Sequence, residues 1–475
     1  MITIPRQMTE EISNYPSARD RAAKVLTACY DGNLFTHDLL AEMQASDPLS
    51  SQDAALAAEL VLGVLRHRLT AEHLAARFHR GRWASLRPSI RTILALAVYQ
   101  LCWLDRIPDH AAVDQAVRQA KRHGRGVAAM VNAILRKLAE CRGEIIDRPE
   151  NPDPRRYLSI DDRRGRWFSE NVFPDPTRRP LDYLVAATSH PSYLVERWHR
   201  RLKSALCRTI CEAGQRRPPL VLRPNTLRIT PADLLDRLRA AGHEVSVLDG
   251  TDALILRNAP HVSDLAEFAE GLCQPQDSTT QIPLRLSPPQ PGELVVDLCA
   301  GVGTKSTQAA ELMRNQGLVI ASDTDARKLD GIPQAAQRLG LSIIQPTPAD
   351  LLDTILAGSS RPPDVILVDV PCTNTGVLAR RPEARYRASN RDLLALVEIQ
   401  RDLLRRAQAL SAPGTRIIYA TCSLEREENE DQAAWFCKTF PSWRVQTQVF
   451  TPPDANRDGG FAAVLIRSPD PSRLL

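Results

Sequence analysis

Between residues 17 and 140 the apolar positions recur at helical spacing. The runs AAKVLTACY, AALAAELVLGVLRHRL, IRTILALAVYQLCWL and AAMVNAILRKL all carry it, which places their apolar side chains along one helix face. No alternating run interrupts them. Asp and Gly punctuate the ends, as in LDRIPDH and KRHGRG. The pattern predicts an all-α bundle of roughly six to eight helices, filling 1–140. Over 141–188 the periodicity fails. CRGEIIDRPENPDPRRY and ENVFPDPTRRP are crowded with Pro, Arg and Asp, and they predict an irregular linker that wraps the surface.

Over 189–265 the chain predicts a small α+β domain. PPLVLRPNTLRI and ALILRN read as strands, and PADLLDRLRAAG as a helix between them. From 266 to 475 β-branched runs alternate with helical ones. The strands are LVVDL (294–298), LVIAS (318–322), SII (342–344), DVILVD (364–369), RIIYAT (416–421) and FAAVLIR (461–467). STQAAELM and LLALVEIQRDLLRRAQAL are helices between them. Such alternation predicts a doubly wound parallel sheet covered on both faces, a Rossmann-like α/β domain. The fold class is therefore multidomain: an N-terminal helical bundle, a small α+β domain and a C-terminal α/β domain.

Composition narrows the classes. Hydrophobic residues make up 43% and charged residues 25%, as in globular proteins. No apolar run approaches the roughly 18 residues that span a bilayer. The opening MITIPRQMTEEIS lacks the basic-then-apolar order of a signal peptide. The ten cysteines are scattered, with no C-x-x-C pair, which argues against a disulfide framework and against a zinc site. Cys207 and Cys211 read as packing. A reducing cytoplasm with free thiols is expected, with no metal, no membrane and a monomeric state. Charge is uneven: residues 1–260 carry a net +9 and residues 261–475 a net −4. A basic front suits a polyanion.

In a doubly wound sheet ligands bind beyond the carboxyl ends of the strands. After the first strand stands Asp297-Leu-Cys-Ala-Gly301-Val-Gly303-Thr-Lys305. The later strands are followed by Asp323, by Asp350, by Asp369 with Cys372, and by Cys422. Gly301 and Gly303 let the backbone approach a ligand. Asp323, 20 residues past Gly303, has the spacing of an acid that takes a ribose hydroxyl pair. A dinucleotide site would want a third glycine where Ser306 stands. That tilts the reading from NAD to S-adenosyl-L-methionine, with Asp323 for the ribose, Asp350 near the adenine and the glycine turn under the methionine part.

Beside a methyl donor, two thiols suggest covalent chemistry. Carbon 5 of a pyrimidine is a poor nucleophile until a thiolate adds at carbon 6. The reaction also needs a hydrogen-bonding group at N3 and a base for the carbon 5 proton. Asp369 is placed for the first task, and Cys372 is a candidate for the elimination.

The motifs DLCAGVGTKST, VDVPCTNTGVLARRPEARYR and YATCSLEREENE resemble those of the RNA 5-methylcytosine methyltransferases. Within these the chain resembles the RsmB/Sun (Fmu) branch, bacterial 16S rRNA cytosine-C5 methyltransferases with a NusB-like N-terminal domain. ELVLGVLRHRLTAEHL, YQLCWLDRIPDHAAVDQAVRQAK and VNAILRKL match that domain. SHPSYLVERW, LRPNTLR, QPQDSTTQ and DGGFAAVLIR match further on, so the likeness covers about 20–140 and 186–467.

The resemblance implies that Cys422 is the nucleophile and that Cys372 assists product release. Asp369 orients the cytosine, and Lys305 supports the site. The donor pocket then comprises Cys299, Ala300, Gly301, Val302, Gly303, Thr304 and Lys305, with Asp323, Asp350 and Asp369. The partner it implies is 16S ribosomal RNA.

The chain departs from the family at three points. A-G-V-G-T-K stands for A-A-P-G-G-K, P-C-T-N-T-G for P-C-S-x-T-G, and RYR for R-W. The altered glycine motif leaves an alternative, a non-catalytic RNA-binding factor whose methyltransferase domain has decayed. An NAD-dependent oxidoreductase lacks its third glycine here. In a DNA cytosine methyltransferase the P-C cysteine would attack instead. An unpaired or flipped base is the expected target, with Arg385, Tyr386 and Arg387 as a candidate RNA grip. His190 and Trp198 read as packing residues.

Overall fold

The structure is a computed structural model that describes residues 17–31, 36–46, 48–359 and 361–467. The segment expected to lack a leader, at the start of the chain, lies outside them. The chain divides into two compact units. One holds residues 1–217 with 378–387, the other 218–377 with 388–475.

The first unit is helical. Its helices are Ala18–Asp31, Thr36–Ser46, Ser51–Arg77, Pro88–Trp103, Asp109–Lys121 and Arg125–Cys141, then Pro180–Thr188 and Ser192–Gln215. Helix Ser51–Arg77 starts where Ser50 Oγ accepts from the Asp53 amide at 3.1 Å, an N-cap. Helix Pro88–Trp103 takes proline in its first turn and is buried on nearly every side, as befits a central helix. Its Tyr99 and Trp103 stack with His67 of Ser51–Arg77.

Residues 141–188 are not an irregular linker. Strands β1 (Arg142–Asp147), β2 (Tyr157–Ser159) and β3 (Arg164–Phe168) form an antiparallel sheet in the order β1-β3-β2. Leu158 and Phe168 join the helical core. Pro149, Pro152 and Pro154 fall in the connection between β1 and β2, while Pro174 and Pro176 follow β3 and Pro180 opens the helix Pro180–Thr188.

The second unit carries two sheets. The smaller has the order β5-β6-β4-β7, from β4 (Leu220–Pro224), β5 (Glu244–Val247), β6 (Leu254–Arg257) and β7 (Cys273–Pro275), with helix Pro231–Ala240 against it. The larger comprises β8 (Leu294–Asp297), β9 (Leu318–Asp323), β10 (Ile344–Pro348), β11 (Val365–Asp369), β12 (Arg416–Thr421), β13 (Trp443–Thr451) and β14 (Gly460–Arg467). Its order is β10-β9-β8-β11-β12-β14-β13. Strands β8 to β12 are parallel; β14 runs antiparallel to both β12 and β13.

Three differences from the expected sheet have physical reasons. The last strand is antiparallel because the connection from Thr451 to Gly460 is too short for a crossover helix. β13, absent from the sequence reading, is an edge strand whose polar residues alternate with half-buried ones. β10 lies at 344–348 rather than 342–344 and contains two prolines, tolerated because it is an edge. No described helix is long and apolar enough to cross a membrane.

Candidate active site

The order of the large sheet reverses between β8 and β11, and the chain's strand-end carboxylates and thiols collect on that edge. Asp297 closes β8 fully buried. Its Oδ2 accepts from Ser306 Oγ at 2.7 Å. Burial, aided by the negative charge of Asp369, pushes the carboxyl up to about 7 against the pull of Ser306 and Lys305. Ser306, noted in the sequence only as a missing glycine, is the hydrogen-bond partner of this acid.

The glycine turn is built as its residues require. Gly301 and Gly303 have φ of +55° and +82°, the left-handed region that glycine enters without strain. A Cβ on Gly301 would point into open space, whereas one on Gly303 would meet Ile332 Cγ1 at 2.8 Å. Asp323, at the end of β9, accepts from the Gly301 amide on Oδ2 and from the Asp325 amide on Oδ1, each at 2.9 Å. Ala300 N donates to Ser322 O at 2.8 Å. Val302 caps the turn, 65% exposed, and Thr304 begins the helix Thr304–Leu312. Cys299 is half-buried beside these acids; desolvation pushes its thiol far up, with Asp297, Asp369 and Asp323 adding to it. Asp350 stands two residues past β10 and is exposed.

At the centre of the edge, Lys305 Nζ donates to Asp369 Oδ2 at 2.6 Å. Burial opposes the Lys305 ammonium, but Asp369, Asp297 and Cys422 outweigh it and hold the pKa above its ordinary value. Next to this pair the sulfurs of Cys372 and Cys422 lie 3.0 Å apart. Cys372 is pushed well above the ordinary thiol range, first by its hydrogen bond with Cys422 and then by burial.

Two features register the cysteine loops. Gly376 N donates to Cys422 O at 2.9 Å, and Gly459 N donates to Gly376 O at 2.8 Å. A Cβ at Gly376 would come within 2.5 Å of Gly459 O and 2.8 Å of Cys422 O, so only glycine fits. Behind them Glu428 is fully buried. It accepts from Thr373 N at 2.9 Å, Thr373 Oγ1 at 2.5 Å and Gln400 Nε2 at 2.9 Å. Burial raises its carboxyl despite those donors. Sequence reading passed over Glu428; its one signal is its place in the acidic run that follows Cys422.

Of the expected RNA grip, Arg385 is not on the surface, and Tyr386 and Arg387 are half-buried. Arg385 is fully buried and donates to the carbonyls of Arg66, Ser189 and Gly214 at 3.0, 2.9 and 2.7 Å. It also reaches Pro382 O and Leu378 O. Tyr386 OH donates to Leu65 O at 2.9 Å. Arg385 and Tyr386 thus tie residues 378–387 into the helical unit. His190 is buried, edge-to-face with Trp198, as packing residues are.

Sheet order, glycine turn and paired thiols together define a class, the Rossmann-like methyltransferases. Residues 284–466 match the model for "16S rRNA methyltransferase RsmB/F", 16–140 that of the NusB family, and 190–263 a ferredoxin-like domain of RsmF/B-like methyltransferases. The probable ribosomal RNA small subunit methyltransferase B of Bacillus subtilis (strain 168) is 32% identical over 431 residues, 90% of this chain and 89% of that protein. The ribosomal RNA small subunit methyltransferase B of Shewanella oneidensis is 30% identical over 443 residues, 88% and 92%. The chain belongs to the RsmB/F family of 16S rRNA methyltransferases. Its fold is shared with the crystal structure of PH0851, with TM-score 0.69 and 22% identity over 96% of this chain and 99% of that one. NSun6 from Pyrococcus horikoshii, solved with SFG, superposes with TM-score 0.53 and 19% identity over 59% and 99%.

The family's donor is S-adenosyl-L-methionine. The edge fits it: Gly301 leaves open space, and Asp323 keeps lone pairs beyond its two amide contacts.

Proposed function

We propose that this protein transfers a methyl group from S-adenosyl-L-methionine to carbon 5 of a cytosine in 16S ribosomal RNA, through a covalent adduct of Cys422 with carbon 6. The observation that carries the reading is the pair of sulfurs 3.0 Å apart beside the Lys305–Asp369 ion pair. Bound S-adenosyl-L-methionine supplies an electrophilic methyl group. Gly301, Asp323 and Asp350 are proposed to hold it, with residues 299–305 beneath.

Each protein group then has one task. The Cys422 thiolate forms a bond to carbon 6, and the displaced electron pair makes carbon 5 nucleophilic. Asp369, oriented by Lys305, accepts from the 4-amino group on the N3 edge and so orients the ring, while the Lys305 ammonium offsets the negative charge that develops there. After methyl transfer, the proton on carbon 5 leaves to a base. The electrons of that C–H bond re-form the ring double bond and expel Cys422.

Cys372 suits the base role. Its thiol is raised chiefly by the neighbouring Cys422 sulfur. Bonding of that sulfur to carbon removes this cause, and the 3.0 Å separation of the sulfurs keeps Cys372 beside the adduct. The basic N-terminal half would hold RNA phosphates. The setting we infer is cytoplasmic, with the protein a monomer.

The test is transfer of labelled methyl to unmodified 16S rRNA. The parent should transfer and Cys422→Ala should not. Cys372→Ala should accumulate a covalent protein–RNA complex that survives denaturing electrophoresis. Transfer by Cys422→Ala would remove it as nucleophile. Normal turnover by Cys372→Ala, with no trapped complex, would end the proposed role in release.

A further inference from the structure

Asn374, two residues past Cys372, has no assigned task in this reaction, yet its side chain touches both cysteines. Its Nδ2 donates to Cys372 O at 2.8 Å. Its Oδ1 lies 3.1 Å from Cys422 Sγ. The first contact orients the second: turning the amide over would set Oδ1 against the Cys372 carbonyl. Asn374 also sits at φ +59°, where glycine would be unstrained. Asparagine enters that region more readily than other side-chain-bearing residues, because its short amide can hydrogen-bond locally.

Other groups around the sulfurs come from every neighbouring element. Lys305 belongs to the helix Thr304–Leu312, Asp297 to β8 and Asp369 to β11. Glu428, in the turn after β12, holds Thr373, and Gln400 of the helix Asn390–Leu410 holds Glu428. An oxygen that accepts from a thiol holds the proton on the sulfur.

We propose that Asn374 is a positioning residue for Cys422. Its amide, anchored on the Cys372 carbonyl, accepts the thiol proton and keeps the sulfur aimed beside Cys372 until the base arrives. This rests on Cys422 being the nucleophile.

The proposal has a signed test in the full-length protein. Methyl transfer to 16S rRNA is followed against pH for the parent, Asn374→Asp and Asn374→Gly. Alkylation of Cys422 by iodoacetamide is followed in parallel and located by peptide mass. A carboxylate in place of the amide should move the rising limb of both profiles up by about one pH unit or more, as a like charge does. Glycine keeps the backbone but removes the acceptor. Both of its profiles should move down, while kcat falls about tenfold, the scale of a misplaced reacting group. KM for RNA should hold within about twofold, since the amide is not asked to bind phosphate.

Unshifted profiles in the Asp variant, whatever its rate, would overturn the proposal; its near-identical size makes it the stricter variant. Failure of the underlying reading shows separately, as methyl transfer by Cys422→Ala run beside them.

Discussion

At the scale of single residues, burial decides behaviour that residue type leaves open. Asp297 is the sharpest instance. Its folded pKa of about 7 stands above an ordinary 3.8. Below about pH 4 both folded and unfolded carboxyls hold the proton. Between about 4 and 7 only the folded one does, so its contribution to stability falls as pH rises, by at most about 1.4 kcal/mol per unit. Above that window both are ionised and the loss is complete. Asp297→Asn has no proton to lose. Its melting temperature relative to the parent should therefore climb between pH 5 and pH 7.5. A constant difference across that range would mean Asp297 is already ionised at pH 5. The cysteines, Asp369, Lys305 and Asp323 could be found as residues at strand ends. Glu428 and Asn374 could not, because the contacts that give them a place at the site, Glu428 with Thr373 and Asn374 with Cys422, join residues 55 and 48 positions apart.

At the scale of elements, the segment 378–387 shows how local pattern misleads. RRPEARYR reads as an exposed basic loop, and a basic loop near a site suggests RNA. Arg385 instead meets five carbonyls, among them Ser189 and Gly214 at the ends of the helices Pro180–Thr188 and Ser192–Gln215. Helix ends leave carbonyls without partners, and a planar guanidinium with five N–H groups can serve several at once. Arg385→Ala would strand them in a dry interior at about 1–3 kcal/mol for each left unsatisfied. A clearly lowered melting temperature is expected. An unchanged melting temperature with weakened RNA binding would instead restore the surface role. The strands of 141–188 were hidden for a related reason: they are short, and a proline-rich connection separates β1 from β2. β13 was hidden because an edge strand with one wet face carries a weak apolar signal.

For the whole molecule, charge distribution carries the prediction. The net +9 of residues 1–260 against −4 for the rest implies that RNA is held largely by phosphate contacts in the front half. Such binding releases counterions and weakens with salt. KM for 16S rRNA should therefore rise steeply between 50 and 200 mM KCl, by about tenfold or more, with kcat changing little. A KM that ignores salt would place recognition on bases and shape rather than on the basic half.

The chain by itself determined the helical front, the alternating α/β back and the residues at the ends of its strands. Those follow from periodicity and from short motifs, which are local in sequence. The tertiary structure alone decided that β14 turns antiparallel, that Arg385 is a clamp, that Asp297 resists ionisation, and that two sulfurs and the Asn374 amide meet. Each of these depends on contacts between distant segments or on exclusion of water, and neither is written in the spacing of apolar residues.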